Sequence, residues 1–199
     1  MSERKDLEII ASLVPEGSRV LDLGCGDGAL LEHLIRERGC DGHGIEVSGE
    51  GFDACVARGV PVLLADIDEG LSDLEDGAFD VVVLSQTLQA THRPAFVLHE
   101  LMRVGRRGIV SFPNFGHWRL RLHLLLHGAM PVSGALPYAW HDTPNIHLCT
   151  IRDLEALVRA EGYRILRRML LDEGGCVDAG RARLRPNLLA AGAVVEVGR

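Results

Sequence analysis

The 199-residue sequence lacks any apolar run of the roughly 18 residues that a membrane-spanning helix needs. Its first ten residues, MSERKDLEII, are charged and contain no apolar stretch followed by a small-residue cleavage site, as a secretory signal would. These absences argue against a membrane or secreted protein and predict a cytoplasmic location. The apolar content of 47% is ordinary for a soluble globular protein.

Paired cysteines are also absent. The five cysteines are odd in number, scattered and without a CxxC pair, and they lie at positions 25, 40, 55, 149 and 176. This pattern suggests neither a disulfide framework nor a zinc site with the usual ligand spacing. We therefore expect reduced thiols and no metal.

Basic residues are scarce in the first part of the chain. Residues 1–80 contain 19 acids and 6 bases, whereas residues 81–199 contain 9 acids and 15 bases. An acidic half of this kind opposes binding to a phosphate backbone, so we expect no nucleic-acid partner. We interpret the local basic cluster as a solvated face; it comprises Arg103, Arg106, Arg107, Arg119 and Arg121.

Short runs of mostly Val, Ile and Leu alternate with helical patterns through the first 112 residues. The runs are typical of strands buried on both faces of a sheet; they are SRVLDLG, HGIEV, VPVLLAD, FDVVVLS and GIVSF. The segments between them have apolar residues at helical spacing and end in the glycines that we assign as helix C-caps, Gly39, Gly59 and Gly105. Repeated strand, helix, strand units predict an α/β fold, with an open, mostly parallel Rossmann-type sheet and helices on both faces.

The regular alternation ends after the fifth run. Residues 117–128, HWRLRLHLLLHG, fit either a helix or an alternating strand, and the unbroken LLL run followed by Gly128 favours the helix. A further helix is predicted after Thr150, which is a good N-cap with Asp153 as the capping-box acid. Two closing strands, RILRRMLLD and LLAAGAVVEV, are predicted to form an antiparallel hairpin at the sheet edge.

We expect one domain over residues 1–199, in which residues 113–150 form an insertion over the ligand cleft. These residues are named the cover segment below. The cover segment includes the stretch MPVSGALPYAWHDTPNIHLCT, in which Pro144 restricts Thr143 to an extended backbone and HDTPN favours an ordered turn.

The first predicted strand runs into a glycine turn, VLDLGCGDG, at residues 20–28. Ligands of open α/β sheets bind at the carboxyl ends of the strands, where glycines remove the Cβ atoms that would block a close approach. The GxGxG spacing differs from the GxGxxG dinucleotide fingerprint. Asp22 and Asp27 would repel a pyrophosphate, so the turn favours a cationic or zwitterionic ligand.

Acidic residues recur at the ends of the next two predicted strands. Glu46 lies 20 residues after Gly26 in the glycine turn, where an acid can accept hydrogen bonds from both hydroxyls of a ribose. Asp66 ends the third strand and can accept from an adenine amino group, while Ile67 packs on the ring. The order of glycines, ribose acid and adenine acid predicts a nucleoside-containing ligand.

These motifs, DLGCGDG, GIE and ADID, resemble the cofactor motifs of class I S-adenosylmethionine-dependent methyltransferases, and the resemblance covers residues 18–112. It implies a seven-stranded sheet with the last strand antiparallel, and a chain that binds S-adenosylmethionine or S-adenosylhomocysteine. The cofactor contacts that it implies are Asp22, Gly24, Gly26, Gly28, Glu46, Asp66 and Ile67, with Ser85 and Gln86 beside the methionine part.

A narrower resemblance runs through nearly the whole chain. LSQTLQATHRP, VSFPNFGHWRLRL and GAMPVSGALPYAWHDTPNIHLCTIRDLEAL resemble segments of the MetW family of methionine biosynthesis proteins. That family is associated with the homoserine O-acyltransferase MetX, so the resemblance implies an accessory protein that supports MetX by complex formation. The alternative is an active methyltransferase that acts on an unidentified small molecule.

Candidate catalytic groups follow the fourth and fifth predicted strands. A methyltransferase supplies proximity, orientation and sometimes a base. The candidates for a base by position are His92, His117, His141, Asp142 and His147, and we single out the last three because they cluster in one stretch.

The MetW resemblance favours a protein interface over catalysis in the same stretch. We expect an exposed apolar patch with a polar rim, because partner surfaces have that composition. The interface candidates are Trp118, Tyr138 and Trp140, and the opposing interpretation is that these side chains close the domain core.

Overall fold

The computed structural model describes residues 5–134, 136–172 and 181–199. The strands are β1 (Arg19–Leu23), β2 (Asp41–Glu46), β3 (Val62–Leu64), β4 (Phe79–Ser85), β5 (Gly105–Pro113), β6 (Arg164–Leu171) and β7 (Gly192–Gly198). The helices are α1 (Lys5–Leu13), α2 (Ala29–Arg38), α3 (Gly49–Arg58), α4 (Pro94–Val104), α5 (Trp118–His127), α6 (Ile151–Ala160), α7 (Arg181–Leu184) and α8 (Pro186–Leu189). No helix in these ranges combines the length and apolar character that crossing a membrane requires.

The seven strands form one sheet in the order β3-β2-β1-β4-β5-β7-β6. Strands β1 to β5 pair in parallel, whereas β7 runs antiparallel to both β5 and β6. This confirms the predicted mostly parallel α/β sheet with an antiparallel last strand. The closing strands do form an antiparallel pair, and β7 lies between β5 and β6, so that β6 is the edge strand.

Successive side chains of β4 explain why the sequence forms a strand covered on both faces. Val81 and Val83 are buried in the cluster that contains apolar residues of α1 and α2. Val82 and Leu84 are buried in the opposite cluster, which contains residues of α4 and α6. Because both faces of the strand are buried, its sequence is continuously apolar.

The three predicted C-caps are confirmed: Gly39, Gly59 and Gly105 end α2, α3 and α4. Gly39 and Gly59 adopt left-handed conformations, with φ of 62° and 74°, after α2 and α3. Gly105 differs in conformation, because it is extended, with φ of −106°, and also starts β5. A Cβ atom there would lie 2.6 Å from Cγ2 of Val82, so close packing rather than a left-handed turn favours glycine.

The helical interpretation of residues 117–128 is confirmed by α5, which ends at the left-handed Gly128. The capping box of α6 is also confirmed. The Thr150 hydroxyl oxygen accepts from the Asp153 amide at 3.4 Å, and the Thr150 amide donates to the Asp153 carboxylate at 2.9 Å.

Two features at the ends of the chain depart from the sequence interpretation. The predicted strand LLAAGAVVEV begins later, at Gly192, because Pro186 occupies the first turn of α8 and starts a helix. Helix α1 was not predicted, although Ile9, Ile10 and Val14 pack into the sheet core.

Candidate functional site

The predicted ligand-binding residues lie at the carboxyl ends of four adjacent strands. Since β3, β2, β1 and β4 are neighbours and parallel, their ends meet at one edge of the sheet. The Gly24 amide donates to the Ile45 carbonyl at 2.8 Å, and the Ala65 amide donates to the Glu46 carbonyl at 3.0 Å. These hydrogen bonds hold the glycine turn, Glu46 and the end of β3 side by side.

The three glycines of the turn have positive φ values of 73°, 57° and 75° at Gly24, Gly26 and Gly28. A Cβ at Gly24 would lie 2.5 Å from Cγ2 of Thr87, and one at Gly28 would lie 2.8 Å from Sγ of Cys55. Gly26 differs, because a Cβ there would meet nothing within 4 Å. Packing therefore requires the outer glycines, while the space above Gly26 is open to a ligand.

Glu46 is buried, and backbone amides hold its carboxylate in place. Oε2 accepts from the Gly26 amide at 2.7 Å, and Oε1 accepts from the amides of Val47 at 3.1 Å and Ser48 at 2.9 Å. A carboxylate offers about four acceptor positions. The orientation of Glu46 is thus fixed by the turn, and acceptor capacity remains for a ligand hydroxyl.

The two residues predicted to contact an adenine, Asp66 and Ile67, follow β3 and differ in exposure. Asp66 is exposed, and its Oδ1 accepts from the Asp68 amide at 2.8 Å at the start of a short 3-10 turn. Ile67 is buried in the core under α4. The adenine contacts of Asp66 and Ile67 stay predictions.

The two aspartates of the glycine turn have different surroundings. Asp22 is buried at the end of β1, next to Gly44 of β2 in the register. Asp27 is exposed, and its Oδ2 lies 2.7 Å from Nη2 of Arg58. The pKa of Arg58 is raised by its hydrogen bonds to Glu32 and then to Asp27. Asp27 therefore ties α3 to the turn, whereas Asp22 is a buried carboxylate at the start of the turn.

Two thiols lie directly beneath the glycine turn. Sγ of Cys25 and Sγ of Cys55 are 3.6 Å apart, and the Cys55 thiol donates to the Gly26 carbonyl at 3.3 Å. Burial raises the pKa of both thiols, and the nearby Asp22 carboxylate raises that of Cys25 further. These cysteines are therefore protonated packing residues at neutral pH.

Helix α1 brings a carboxylate to this site that the sequence interpretation missed. Asp6 is buried, and its Oδ2 accepts from the hydroxyls of Ser85 at 3.4 Å and Ser111 at 3.2 Å and from Nε2 of Gln86 at 3.2 Å. Among the described residues, Gln86 is the non-glycine residue with a positive φ, 55°. Asp6 belongs to no recognised sequence motif. The feature of the sequence that could have identified it is an acidic residue in the first turn of an apolar helix.

The cover segment is attached to the loop after β4. The backbone amides of Ile146 and His147 each donate to the carbonyl of the buried Gln89 at 2.9 Å. The Phe115 amide donates to the Cys149 carbonyl at 3.1 Å at the other end of the segment. The segment thus lies against the loop that follows Ser85 and Gln86, the residues predicted beside the methionine part of a ligand.

The three singled-out catalytic candidates lie on the surface of the cover segment. The side chains of His141, Asp142 and His147 are exposed. The His141 ring lies edge-on to Trp140, with 5.4 Å between the ring centroids. His92 is also exposed, whereas His117 is buried at the start of α5. A catalytic role for these residues stays a prediction.

The outward face of α5 is apolar. Trp118, Leu122, Leu125 and Leu126 are 40%, 41%, 80% and 67% exposed, and their spacing places them on one side of the helix. We name these four residues the α5 stripe. Leu120, on the opposite side, is buried.

Further exposed apolar side chains follow the α5 stripe along the cover segment. Tyr138 is 49% exposed and Trp140 is 74% exposed, so the interpretation that Trp140 closes the core is wrong. Of the 16 large apolar side chains exposed in the described residues, 10 lie in the cover segment. Arg119 and Arg121 flank the stripe on the helix surface and give it a polar rim.

Comparison with known proteins agrees with this architecture. A family model described as methionine biosynthesis protein MetW matches residues 4–197. The bifunctional methionine biosynthesis protein MetXA/MetW of Rhodopirellula baltica is 38% identical over 207 residues, covering 98% of this chain and 32% of that protein. A ubiquinone biosynthesis O-methyltransferase of Methylococcus capsulatus is 32% identical over 132 residues, covering 63% of this chain and 55% of that protein. The chain spans only part of the length of either relative.

Solved structures show the same fold. A crystal structure of an S-adenosylmethionine-dependent methyltransferase from Archaeoglobus fulgidus has a TM-score of 0.71 at 15% identity, covering 98% of this chain and 92% of that one. At this identity the likeness concerns the fold, which confirms the predicted methyltransferase-like architecture. Fold likeness leaves the chemistry to be argued from the site.

Proposed function

The chain belongs to the methionine biosynthesis protein MetW family, and we propose that it is an accessory subunit of homoserine O-acyltransferase. In this proposal it binds S-adenosylmethionine or S-adenosylhomocysteine at the strand ends and supports the acyltransferase by forming a complex with it. The observation that carries the proposal is the relative in which MetXA and MetW are parts of one chain.

The strand-end geometry supports the cofactor part of the proposal. Space above Gly26 is open, and Glu46 is buried and held by three backbone amides beside it. Asp22 adds a second buried carboxylate near the turn. A ligand that carries a ribose, a sulfonium and an ammonium group matches this acceptor-rich, acidic surface.

The α5 stripe and the exposed aromatics support the partner part. Isolated exposed apolar residues are common, but a concentrated apolar patch with a polar rim is typical of protein interfaces. Here the patch lies on one segment, includes Tyr138 and Trp140, and is flanked by Arg119 and Arg121. We expect the acyltransferase to present an apolar face bordered by acidic residues.

Copurification with the acyltransferase tests the docking surface. Leu125→Glu places a charge in the centre of the α5 stripe and should abolish copurification, because an unpaired charge in a desolvated interface is strongly unfavourable. Leu184→Glu is the matched control, since Leu184 is 84% exposed on α7, outside the cover segment. Equal recovery of the partner with both variants would refute the assigned surface, and a Trp140→Ala variant then reports on the aromatic part alone.

Acyl transfer by the purified pair tests the coupling between cofactor and partner. If the cofactor prefers one state of the complex, it shifts the acyltransferase rate, and the partner shifts cofactor affinity by the same factor. The measurements are acyl-transfer rates with and without this protein, each over a range of S-adenosylmethionine concentrations. Rates that do not change on adding this protein would overturn the accessory role.

The second candidate is methyl transfer to a small molecule. The specific observation in its favour is the 32% identity to a ubiquinone biosynthesis O-methyltransferase over 132 residues, which cover 63% of this chain. Incubation with labelled S-adenosylmethionine, at a concentration below saturation, and a cell extract tests it, with a Gly26→Ala variant as the control with weakened cofactor binding. A labelled product that forms equally with the variant would contradict catalysis at this site.

A further inference from the structure

We propose that a groove between α6 and the edge strand β6 binds an extended, acidic polypeptide segment of a partner protein. We name it the β6 groove. It has a volume of about 530 Å³, and the described residues that line it are Glu155, Val158, Arg159, Tyr163 and residues 164–168. None of these residues belongs to the cover segment or to the predicted cofactor contacts, so the proposal is independent of the cofactor and of the acyltransferase.

Strand β6 leaves one of its backbone edges exposed. Among the described strands it pairs with β7 alone, at the end of the sheet. It is eight residues long, which exceeds the usual length of about five or six residues for a strand. The amide and carbonyl groups along such an edge can pair with another extended chain. The backbone of β6 therefore provides a template for an added strand.

Positive charge distinguishes this edge. In the part of the chain that the structure describes, the β6 groove is lined by four arginines and one acid, Arg159, Arg164, Arg167, Arg168 and Glu155. Arginine binds carboxylates strongly, because its planar guanidinium can donate two parallel hydrogen bonds to them. The groove is therefore complementary to a segment that carries several carboxylates.

The four arginines differ in how far the protein itself engages their charge. Arg168 is ion-paired with Glu155, and Arg167 lies 3.4 Å from the buried Glu196 carboxylate of β7. Arg164 donates to the main-chain oxygen of Arg199 at 2.7 Å.

Arg159 is exposed in the last turn of α6. Its guanidinium makes no hydrogen bond or ion pair within the described ranges. Arg159 is therefore the cation of the groove that is available to an incoming carboxylate.

The same charge disfavours a second copy of this chain as the occupant. If β6 paired with β6 of another copy about a two-fold axis, Arg164, Arg167 and Arg168 would approach their own counterparts. Like charges on paired strands are destabilising, and charged edge residues are a common protection against such pairing. An acidic strand meets attraction where a second copy meets repulsion.

An apolar contact favours a polypeptide over a nucleic acid. Leu166 lies where the register of β6 shifts between Ile165 and Arg167, and its side chain is 48% exposed. A bulge of this kind re-aims a side chain at a sheet edge. An extended peptide can place carboxylates on the arginines and an apolar side chain on Leu166, whereas the net charge of −7 opposes a long polyanion.

Fluorescence anisotropy tests the β6 groove with labelled peptides that match β6 in length. The probe alternates glutamate and valine. One control peptide has lysine in place of glutamate, and the other keeps the sequence of the probe but carries methyl groups on its backbone nitrogens. We expect the probe to bind at low salt and the lysine peptide not to bind. The methylated peptide should bind at least tenfold more weakly than the probe, because it cannot donate backbone hydrogen bonds to β6.

Charge reversal on α6 locates the bound peptide. Arg159→Glu should lower the affinity for the probe at least tenfold, because it replaces an attractive charge with a repulsive one. Arg152→Glu is the matched control and should stay within threefold of the unmodified protein. Arg152 is exposed on the same helix, its guanidinium makes no contact of this kind with the described residues, and it does not line the β6 groove. Leu166→Glu is a second variant within the groove and should also lower the affinity at least tenfold.

Four results would overturn the proposal. They are no binding of the probe at millimolar concentration, equal losses for Arg159→Glu and Arg152→Glu, tighter binding of a single-stranded DNA of the same charge, and a dimer of the unmodified protein that Leu166→Glu dissociates. Sedimentation of the protein alone measures the last of these. Thermal unfolding of each variant identifies any loss of affinity that follows from misfolding. Because these measurements include neither cofactor nor acyltransferase, their failure leaves the proposed function standing.

Discussion

Replacing Gly26 with alanine separates the conformational demands of the glycine turn from its role in binding. Gly26 has φ of 57° and would place a Cβ in open space. The substitution therefore adds one methyl group above the turn without a steric clash inside the protein. Any effect on the fold comes from the left-handed backbone alone, and any effect on ligand binding comes from the methyl group.

The size of each effect follows from this geometry. A left-handed backbone costs a residue with a Cβ about 1–2 kcal/mol relative to glycine. For a chain of this length, that lowers the melting temperature by about 2–8 °C. A methyl group inserted into a filled contact costs about 1–3 kcal/mol, so we expect cofactor affinity to fall by about fivefold to about a hundredfold.

Gly39→Ala provides the matched control. Gly39 has φ of 62°, would also place its Cβ in open space, and caps α2 before β2 begins, at the opposite edge of the sheet. Thermal unfolding should show similar losses for the two variants. Titration with S-adenosylhomocysteine should show lost affinity for Gly26→Ala alone.

The reasoning would be refuted by either of two results. Retained affinity in Gly26→Ala, within twofold of the unmodified protein, would mean that no ligand approaches the turn. An equal loss of affinity in Gly39→Ala would mean that backbone strain anywhere in the fold weakens binding.

Three further predictions concern stability. The Arg103 hydrogen bonds hold the pKa of the Glu100 carboxyl below its usual value. The Glu100 carboxylate therefore stabilises the fold at neutral pH, and this contribution is lost as pH falls through the lowered pKa. Glu100→Gln should lower the free energy of unfolding at pH 7 by about 1.5–3 kcal/mol and should make that free energy decrease less on acidification, as measured by urea titration across pH. Thr150→Ala removes the acceptor for the Asp153 amide and should cost about 1 kcal/mol in the same assay, with Thr150→Ser close to the unmodified protein. Asn114→Ala should cost more than about 3 kcal/mol, because the buried Asn114 side chain pairs with four backbone groups, and a loss below 1 kcal/mol would contradict that assignment.

Local patterns were sufficient to predict most of the architecture. Strand β4 was recognisable because both of its faces are buried and its sequence is therefore continuously apolar. Helix α6 was recognisable because Thr150 and Asp153 make their capping contacts within four residues. Gly105 was correctly predicted as a C-cap, but its close contact with Val82 on a neighbouring strand was not predictable, because its own neighbours in sequence do not reveal that contact.

The residues of the candidate site also divide into those that the sequence predicted and those that it did not. The glycine turn and Glu46 were found from the sequence, because a close backbone approach and a ribose acid impose fixed residue types at fixed spacing. Exposure of His141 and Trp140 was not predictable, since histidine and tryptophan occur both in cores and on surfaces.

By itself, the sequence determined the strand and helix order, the turn that approaches a ligand and the family to which the chain belongs. Only the tertiary structure placed Asp6 against Ser111, 105 residues away, and left Oε1 of Gln89 buried without a hydrogen-bond partner in the part of the chain that the structure describes. The physical reason is that secondary structure and turns depend on contacts within a few residues, whereas the pairing of buried polar groups depends on which distant segments the core brings together.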